Sequence, residues 1–407
     1  TFGNAIYLAV YMLFHIFIAM LMLFREWKNK GSRYIYGILM FLQAIVLYYT
    51  ATRGALLGLV GGLLIFSLLN IRNKEELWAR KISIGFIAAI VILVGGFFAV
   101  RNAQFVKDSS VLSRFSTLSV AELKTQGRYF IWPMAWQGIK EHPVLGWGQE
   151  NFTYVFQKYY RPEMYNLEPW FDRAHNVFLD WAIAGGLLSL FIYLSLYFFA
   201  LSSIWRRGNF SYIEKSVLTS LLAAYFFHNI FVFDHLFSYV LFLSLLAYLH
   251  GRSQGELLWN KNISYQMTQK VLLPVFTIIL VFSLYFINWK PLNGNLSLIE
   301  VLKALNAGQV GSAITNFEKA YAASPLGRSE TIEQITSNTN AILSSTASME
   351  EKNRFYAFAH KSILEQAQAA PSDARTQIVV GSFLSLTGSL DEALQYLNRA
   401  RELAPNK

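Results

Sequence analysis

The chain contains no cysteine, so neither disulfide bonds nor thiolate metal sites contribute to its fold or chemistry. Charged residues are also scarce. They make up 15% of the 407 residues, whereas hydrophobic residues make up 54%. An ordinary soluble domain carries about 25% charged residues. The shortage of charge and the excess of apolar residues predict a membrane protein.

Metal-binding patterns are missing as well. The sequence has no Asp-x-Asp pair and no His-x-x-x-His spacing. A sugar transferase whose divalent cation is clamped by carboxylates is therefore not supported. We expect neither a metal ion nor another cofactor.

The net charge of +10 is distributed in a way that argues against nucleic acid. The basic residues cluster in short segments between apolar runs, as they do in the cytoplasmic loops of membrane proteins. These basic segments are 25–30, 72–81, 205–207 and 252–270. We predict that they are cytoplasmic and that no nucleic acid binds.

Apolar runs long enough to cross about 30 Å of hydrocarbon predict about eight spans. The runs are 5–24, 34–52, 55–71, 83–100, 176–204, 215–233, 235–250 and 270–288. With the basic segments inside, the loop 101–175, the turn 233–235 and everything after Trp289 lie outside. The first residues resemble neither a signal peptide nor an initiator start, so we expect earlier spans to precede them.

The predicted fold is all-α. A polytopic helical membrane domain covers 1–289 and includes the large outer loop 101–175, and a soluble helical domain covers 290–407. In the second domain, 308–325 and 388–405 align without a gap, each with a turn glycine, packed alanines and a closing proline. This pattern resembles the second half of a tetratricopeptide repeat, which binds protein partners. An ordinary helical hairpin is the alternative.

The outer loop is rich in arginine and aromatic residues, and it contains Arg128, Arg161, Arg173 and Trp132. The aromatic rings suit either the membrane interface or the stacking of sugar rings. The planar arginine fork suits a diphosphate, because it donates parallel charge-assisted hydrogen bonds. Arg53 stands at the outer end of a span, where either snorkelling or a ligand explains it.

His175 lies where the outer loop meets the next apolar run. If Asp172 is the N-cap, His175 falls in the first helical turn. The helix dipole there favours a phosphate and disfavours a protonated imidazole, so His175 would be a neutral proton acceptor. His228 and His235, on either side of an outer turn near Asp234, are second-choice candidates.

These motifs together resemble the O-antigen ligase and polymerase superfamily, over about 1–249. A helical repeat domain after the spans is similar to that of a tetratricopeptide-containing subset of these proteins. The motifs are Thr52-Arg53-Gly54, Gly127-Arg128, Trp132, Ala135, Gly138-Ile139, Pro143, Gly146-Trp147-Gly148, Asn151-Phe152, Ala174-His175-Asn176, Leu179 and Gly185-Gly186.

The resemblance implies a glycosyltransferase of the bacterial inner membrane, multi-pass, with its active site and C-terminal domain in the periplasm. Members of the superfamily transfer a glycan, without a metal, from an undecaprenyl-diphosphate carrier. The acceptor is lipid A core for ligases, another glycan for polymerases, or a protein for O-oligosaccharyltransferases. The ligase reading is our first prediction.

The resemblance also assigns residues. The ligases use one arginine at a span end, one in the large loop and a histidine at the loop's end, which correspond here to Arg53, Arg128 and His175. We predict that His175 is the general base of an inverting displacement and that the two arginines hold the departing diphosphate. Substrate binding is predicted for a further set: Arg161, Arg173, Asp172 and Trp132.

Two hypotheses from other functional classes, a transporter and a scaffold, remain open. A transporter would use the outer arginines to bind a lipid phosphate, but it predicts coupled charges within the spans or an inverted repeat. A membrane-anchored scaffold would present only its repeat domain, which would leave the arginine-rich loop without a role. The sequence does not identify the glycan or choose among the acceptors.

Overall fold

The computed structural model describes residues 3–73, 76–116, 126–253 and 264–407. These ranges form helices joined by turns, which confirms the predicted all-α class for this part of the chain. The contacts divide the chain into two compact units. The first unit is Thr1–Phe156 with Glu163–Glu256, and the second is Gln157–Pro162 with Leu257–Lys407.

The helices of the first unit follow the apolar runs and the amphipathic segments of the sequence. We number them in chain order. They are α1 (Ala5–Arg25), α2 (Lys30–Tyr49), α3 (Arg53–Asn70), α4 (Leu77–Val100), α5 (Gln104–Asp108), α6 (Ser113–Ser116), α7 (Gly127–Glu141), α8 (Phe152–Lys158), α9 (Val177–Ser202), α10 (Tyr212–Asn229) and α11 (Leu236–Gly251).

The second unit begins with a long helix that runs across the predicted domain boundary at residue 289. Its helices are α12 (Tyr265–Asn306), α13 (Val310–Ala323), α14 (Arg328–Leu343), α15 (Met349–Ala369), α16 (Ala374–Leu386) and α17 (Leu390–Leu403). Within this unit α12 packs on α13 and α16 packs on α17. Gly308 and Gly388 occupy the turns before α13 and α17 with φ of +70° and +87°. The match to tetratricopeptide repeats stays a prediction.

The short segment Gln157–Pro162 belongs to the second unit through specific hydrogen bonds. The side chain of Gln157 donates to the Asp373 carboxylate at 2.7 Å and accepts from the Ala374 N–H at 3.0 Å. The start of α16 therefore binds a piece of the outer loop.

Six helices in the described ranges are long and apolar enough to cross a membrane: α1, α2, α3, α4, α9 with its π-helical extension to Arg207, and α12. The protein is therefore a multi-pass membrane protein. Helices α10 and α11 overlap the other two predicted runs, and α11 is a shorter apolar helix. The total of eight spans and the orientation stay predictions.

Three glycines on one face of α3 allow close contact with α10. A methyl group added at Gly58 would lie 2.8 Å from the carbonyl oxygen of Ala224, and one at Gly62 would lie 2.9 Å from the Cβ of Ala224. Gly54, one turn before Gly58, faces the end of α10. The contact is as close as those that small residues permit between helices in membranes.

Helix α9 is interrupted at Gly185 and Gly186, where the backbone leaves helical geometry and Gly186 has a φ of +70°. The turn after α7 docks into this break. The N–H groups of Trp147 and Gly148 donate to the carbonyl groups of Ile183 and Ala184 at 2.7 and 3.0 Å. The break thus fixes the end of α7 against α9.

Candidate active site

Arg128 is the second residue of α7 and is half-buried. Its Nη2 donates to the carbonyl oxygen of Phe231 at 2.9 Å. Phe231 belongs to the 230–235 turn, which joins α10 to α11. The Nε of Arg128 is buried and has no hydrogen-bond partner among the described residues. One donor of the guanidinium therefore holds the turn, and the hydrogen-bonding capacity of Nε is unused among the described residues.

Arg53 is the first residue of α3, and its neighbour Gly54 lies against the same turn. A methyl group added at the adjacent Gly54 would be 3.5 Å from the Cβ of Phe231 and 3.6 Å from Nδ1 of His228. Burial lowers the pKa of Arg128, and the positive charge of Arg53 lowers it further. The two cations are therefore close enough to repel each other, which an anion between them would relieve.

His175 precedes α9 rather than lying within it. The helix begins at Val177, and Asn176 is the N-cap: its side chain accepts from the N–H groups of Phe178 and Leu179 at 3.0 and 3.1 Å. His175 has a φ of +53°. This left-handed conformation costs a non-glycine residue about 1–2 kcal/mol. The helix cannot extend back through it.

The prediction that Asp172 is the N-cap was therefore wrong, and with it the placement of His175 in the first helical turn. The Asp172 carboxylate is mostly exposed and lies 3.7 Å from the Arg173 guanidinium. The left-handed residue at 175 separates it from the helix start.

The imidazole of His175 is half-buried between two aromatic rings. Its ring centroid lies 5.3 Å from that of Phe233 and 5.8 Å from that of Phe171, edge-on in both cases. Burial lowers the pKa of His175, the positive charge of Arg128 lowers it further, Asp172 raises it, and Arg173 lowers it. The net shift favours the neutral imidazole. Burial and Arg128, rather than the helix dipole, account for it.

The structure brings Arg53, Arg128 and His175 together around the 230–235 turn. Arg128 is linked electrostatically to both of the others and hydrogen-bonded to the turn. Phe233 of the same turn contacts the imidazole. Three residues from separate stretches of sequence thus share one neighbourhood.

The other residues predicted to bind substrate differ in their contacts. Arg173 donates to both carboxylate oxygens of Glu150 at 2.9 Å, and its guanidinium lies 5.3 Å from the ring centroid of Phe233. The indole N–H of Trp132 donates to the Ala174 carbonyl at 3.1 Å. Arg161 belongs to the segment Gln157–Pro162, which groups with the second unit.

The second-choice histidines have different surroundings. His235 is the N-cap of α11: its ring accepts from the Ser238 N–H at 3.4 Å and stacks on Tyr7 with centroids 4.0 Å apart. These contacts give it a structural role. His228 is 1% exposed, and neither ring nitrogen has a hydrogen-bond partner in the described ranges.

Two carboxylates near the site were not singled out as functional from the sequence. Asp234 accepts from Tyr225 at 3.0 Å and from the Trp181 indole at 3.4 Å, and Asp180 accepts from the Ala174 N–H at 2.7 Å. Asp180 could have been recognised from the sequence, because an acidic residue within an apolar run often has a function. Among the described residues, no three His, Asp or Glu side chains are grouped to hold a metal ion.

The fold and the site define a class: a multi-pass helical membrane protein in which two arginines and a histidine of lowered pKa lie near a turn between two helices. Residues 38–194 match the family model described as O-antigen ligase, the superfamily that the motifs resemble. The matched segment includes all seven predicted site residues. No curated protein matches the chain.

Proposed function

We propose that the protein transfers a glycan from an undecaprenyl-diphosphate carrier to a hydroxyl group of an acceptor, as an inverting, metal-independent O-antigen ligase. The family match supports a glycosyltransferase activity. The proposed donor and mechanism rest on one observation: Arg53, Arg128 and His175 lie close together near the 230–235 turn.

The two arginines suit the leaving group. A diphosphate placed between Arg53 and Arg128 would relieve their mutual repulsion and would accept from the buried Nε of Arg128. Charge that develops on the departing diphosphate would be stabilised by these fixed cations. Arginine remains charged even where burial lowers its pKa, because its ordinary pKa lies far above neutral pH.

The histidine suits the acceptor. A neutral imidazole takes the proton from the acceptor hydroxyl as its oxygen attacks the anomeric carbon. The new C–O bond forms while the C–O bond to the diphosphate breaks, and the electron pair leaves with the lipid diphosphate. Attack from the face opposite the leaving group inverts the anomeric configuration.

The setting is the bacterial inner membrane, with the site on the periplasmic side. Helices α2 and α4 expose most of their apolar side chains, as expected of surfaces that contact lipid. The carrier's prenyl tail would share this hydrocarbon layer and place its diphosphate at the helix ends. The helical domain after the spans would be periplasmic and would bind a protein partner or the acceptor.

The test is glycan transfer by the purified protein from an undecaprenyl-diphosphate oligosaccharide to an acceptor. His175→Ala should lower the rate by about 10²–10⁴-fold, the usual contribution of a general base. His250→Ala is the matched control, since His250 is exposed at the far end of α11. Equal rates for His175→Ala and wild type would refute the base assignment.

The same assay identifies the acceptor. Lipid A core, a second glycan chain and an acceptor protein are supplied separately, and the product is followed by its mobility and anomeric configuration. Transfer to lipid A core supports the ligase. Glycan elongation would make the protein a polymerase, and a protein product would make it an O-oligosaccharyltransferase. Retained anomeric configuration would exclude direct displacement.

A further inference from the structure

The peptide groups around Ala174 are anchored on both sides. Its N–H donates to Oδ1 of Asp180 at 2.7 Å, and its carbonyl oxygen accepts from the Trp132 indole at 3.1 Å. Ala174 itself is fully buried. Neither its donor nor its acceptor is free to rotate toward water.

The residue after this anchor is His175, and the residue after His175 is fixed as well. Asn176 caps α9 through two hydrogen bonds and is buried. His175 is therefore held in its left-handed conformation between two immobilised neighbours. Such backbone strain persists only where the surroundings over-determine it. The direction of the imidazole follows from this backbone geometry.

Asp180 is an unusual choice for packing alone. It lies in the first turn of α9, within an apolar run, and its second carboxylate oxygen is buried without a hydrogen-bond partner in the described ranges. Burying a carboxylate oxygen without a hydrogen bond is unfavourable. An apolar residue of similar shape would fill the space without that cost. The hydrogen bond to the Ala174 N–H is what an apolar residue could not supply.

We propose that Asp180 is a positioning residue for His175: its bond to the Ala174 N–H holds the backbone that aims the imidazole at the acceptor hydroxyl. The proposal rests on the proposed function of His175 as the base. Asp180 does not touch the substrate in this account. Its loss therefore affects the chemical step more than the binding of the donor.

Two substitutions of similar shape test this. Asp180→Asn keeps a carbonyl oxygen that can accept from Ala174, whereas Asp180→Leu keeps the branched shape and loses the acceptor. We expect Asp180→Leu to lower kcat by about 10²-fold, the cost of a catalytic group displaced by about 1 Å. The KM for the lipid-linked donor should stay close to that of wild type. Asp180→Asn should retain most of kcat.

Asp108→Ala is the control, since Asp108 is an exposed aspartate bonded to Gln104 in the same outer loop. It should transfer glycan at the wild-type rate. If Asp180→Leu does not fold, Asp180→Ala replaces it in the comparison with Asp180→Asn. A folding defect is identified from the amount of each purified variant and from its thermal unfolding in detergent.

Three results would overturn the proposal. The first is a wild-type kcat in Asp180→Leu, and the second is an equal loss of kcat in Asp180→Asn and Asp180→Leu. The third is an Asp180→Leu variant in which only the KM for the lipid-linked donor changes. Failure of the proposed function looks different. In that case the wild-type protein itself does not transfer glycan, or His175→Ala is fully active. An active wild type, an inactive His175→Ala and a fully active Asp180→Leu would reject the positioning role alone.

Discussion

His175 combines three conditions that a base at this position needs. It is half-buried between two aromatic rings, its backbone is held at a φ of +53°, and a neighbouring arginine opposes its protonation. Each condition comes from a different part of the first unit. Local sequence contributes Asp172 and Arg173, whose charges act on the imidazole in opposite directions.

Because these two charges are opposite, removing each one should shift the pH dependence of the transfer rate in an opposite direction. A base must be neutral, so the rate falls as pH falls through the pKa of His175. Arg173→Gln removes a repulsive cation, which raises that pKa and moves the acid limb of kcat/KM to higher pH. Asp172→Asn removes an attractive anion, which lowers the pKa and moves the limb to lower pH.

The measurement is the pH profile of glycan transfer for the two variants and the wild type at fixed ionic strength. Besides the imidazole's own neighbours in sequence, Arg128 of α7 acts on its pKa among the described residues. Shifts of both variants in the same direction would argue that another group sets the acid limb.

At the scale of elements, Arg53 is positioned by helix α3, of which it is the first residue. The contact between α3 and α10 determines the position of Arg53. The same α3 face that bears Gly54 continues through Gly58 and Gly62. The 230–235 turn follows directly after α10. A change in the α3–α10 distance therefore separates Arg53 from the turn that binds Arg128.

Gly58→Ala should lower both stability and transfer. The added methyl group meets the backbone carbonyl of Ala224, which cannot rotate away, so the helices must separate. Overpacking of this kind costs about 1–3 kcal/mol. Gly61→Ala is the control, because nothing lies within 4 Å of the added methyl group.

Thermal unfolding in detergent and the transfer rate report the two effects. Gly61→Ala should change stability by less than about 1 kcal/mol and leave transfer unchanged. If Gly58→Ala and Gly61→Ala behave alike, the close α3–α10 contact does not govern the site.

At the scale of the whole molecule, the predicted orientation can be tested directly because the chain lacks cysteine. A single introduced thiol is then the only one present. Three exposed residues suit this test: Glu168 in the loop 101–175, Arg207 in a basic segment and Thr346 in the second unit. The predicted topology puts the first and third in the periplasm and the second in the cytoplasm.

A membrane-impermeant maleimide applied to intact spheroplasts should label Glu168→Cys and Thr346→Cys. Arg207→Cys should react only after the membrane is opened. Labelling of Arg207→Cys in intact spheroplasts, with protection of the other two, would reverse the topology and place the arginine–histidine site on the cytoplasmic side.

The sequence by itself determined the helices, the membrane class and the motif residues. A helix is built from hydrogen bonds between residues four apart, so apolar runs and helical spacing locate it without knowledge of distant partners. The apolar run at 5–24 forms a helix over Ala5–Arg25. The family motifs placed Arg53, Arg128 and His175 in one functional set before any distance was known.

Only the tertiary structure decided how these residues are held. Arg128 binds a carbonyl oxygen 103 positions away, at Phe231, and every residue carries such a carbonyl, so no sequence pattern marks it. The cap at Asn176 displaced the predicted cap at Asp172, because the left-handed backbone at His175 ends the possible helix there. The proposed role of Asp180 depends on the hydrogen bond that it accepts from the Ala174 N–H. Such contacts depend on how separate segments pack, which local periodicity does not encode.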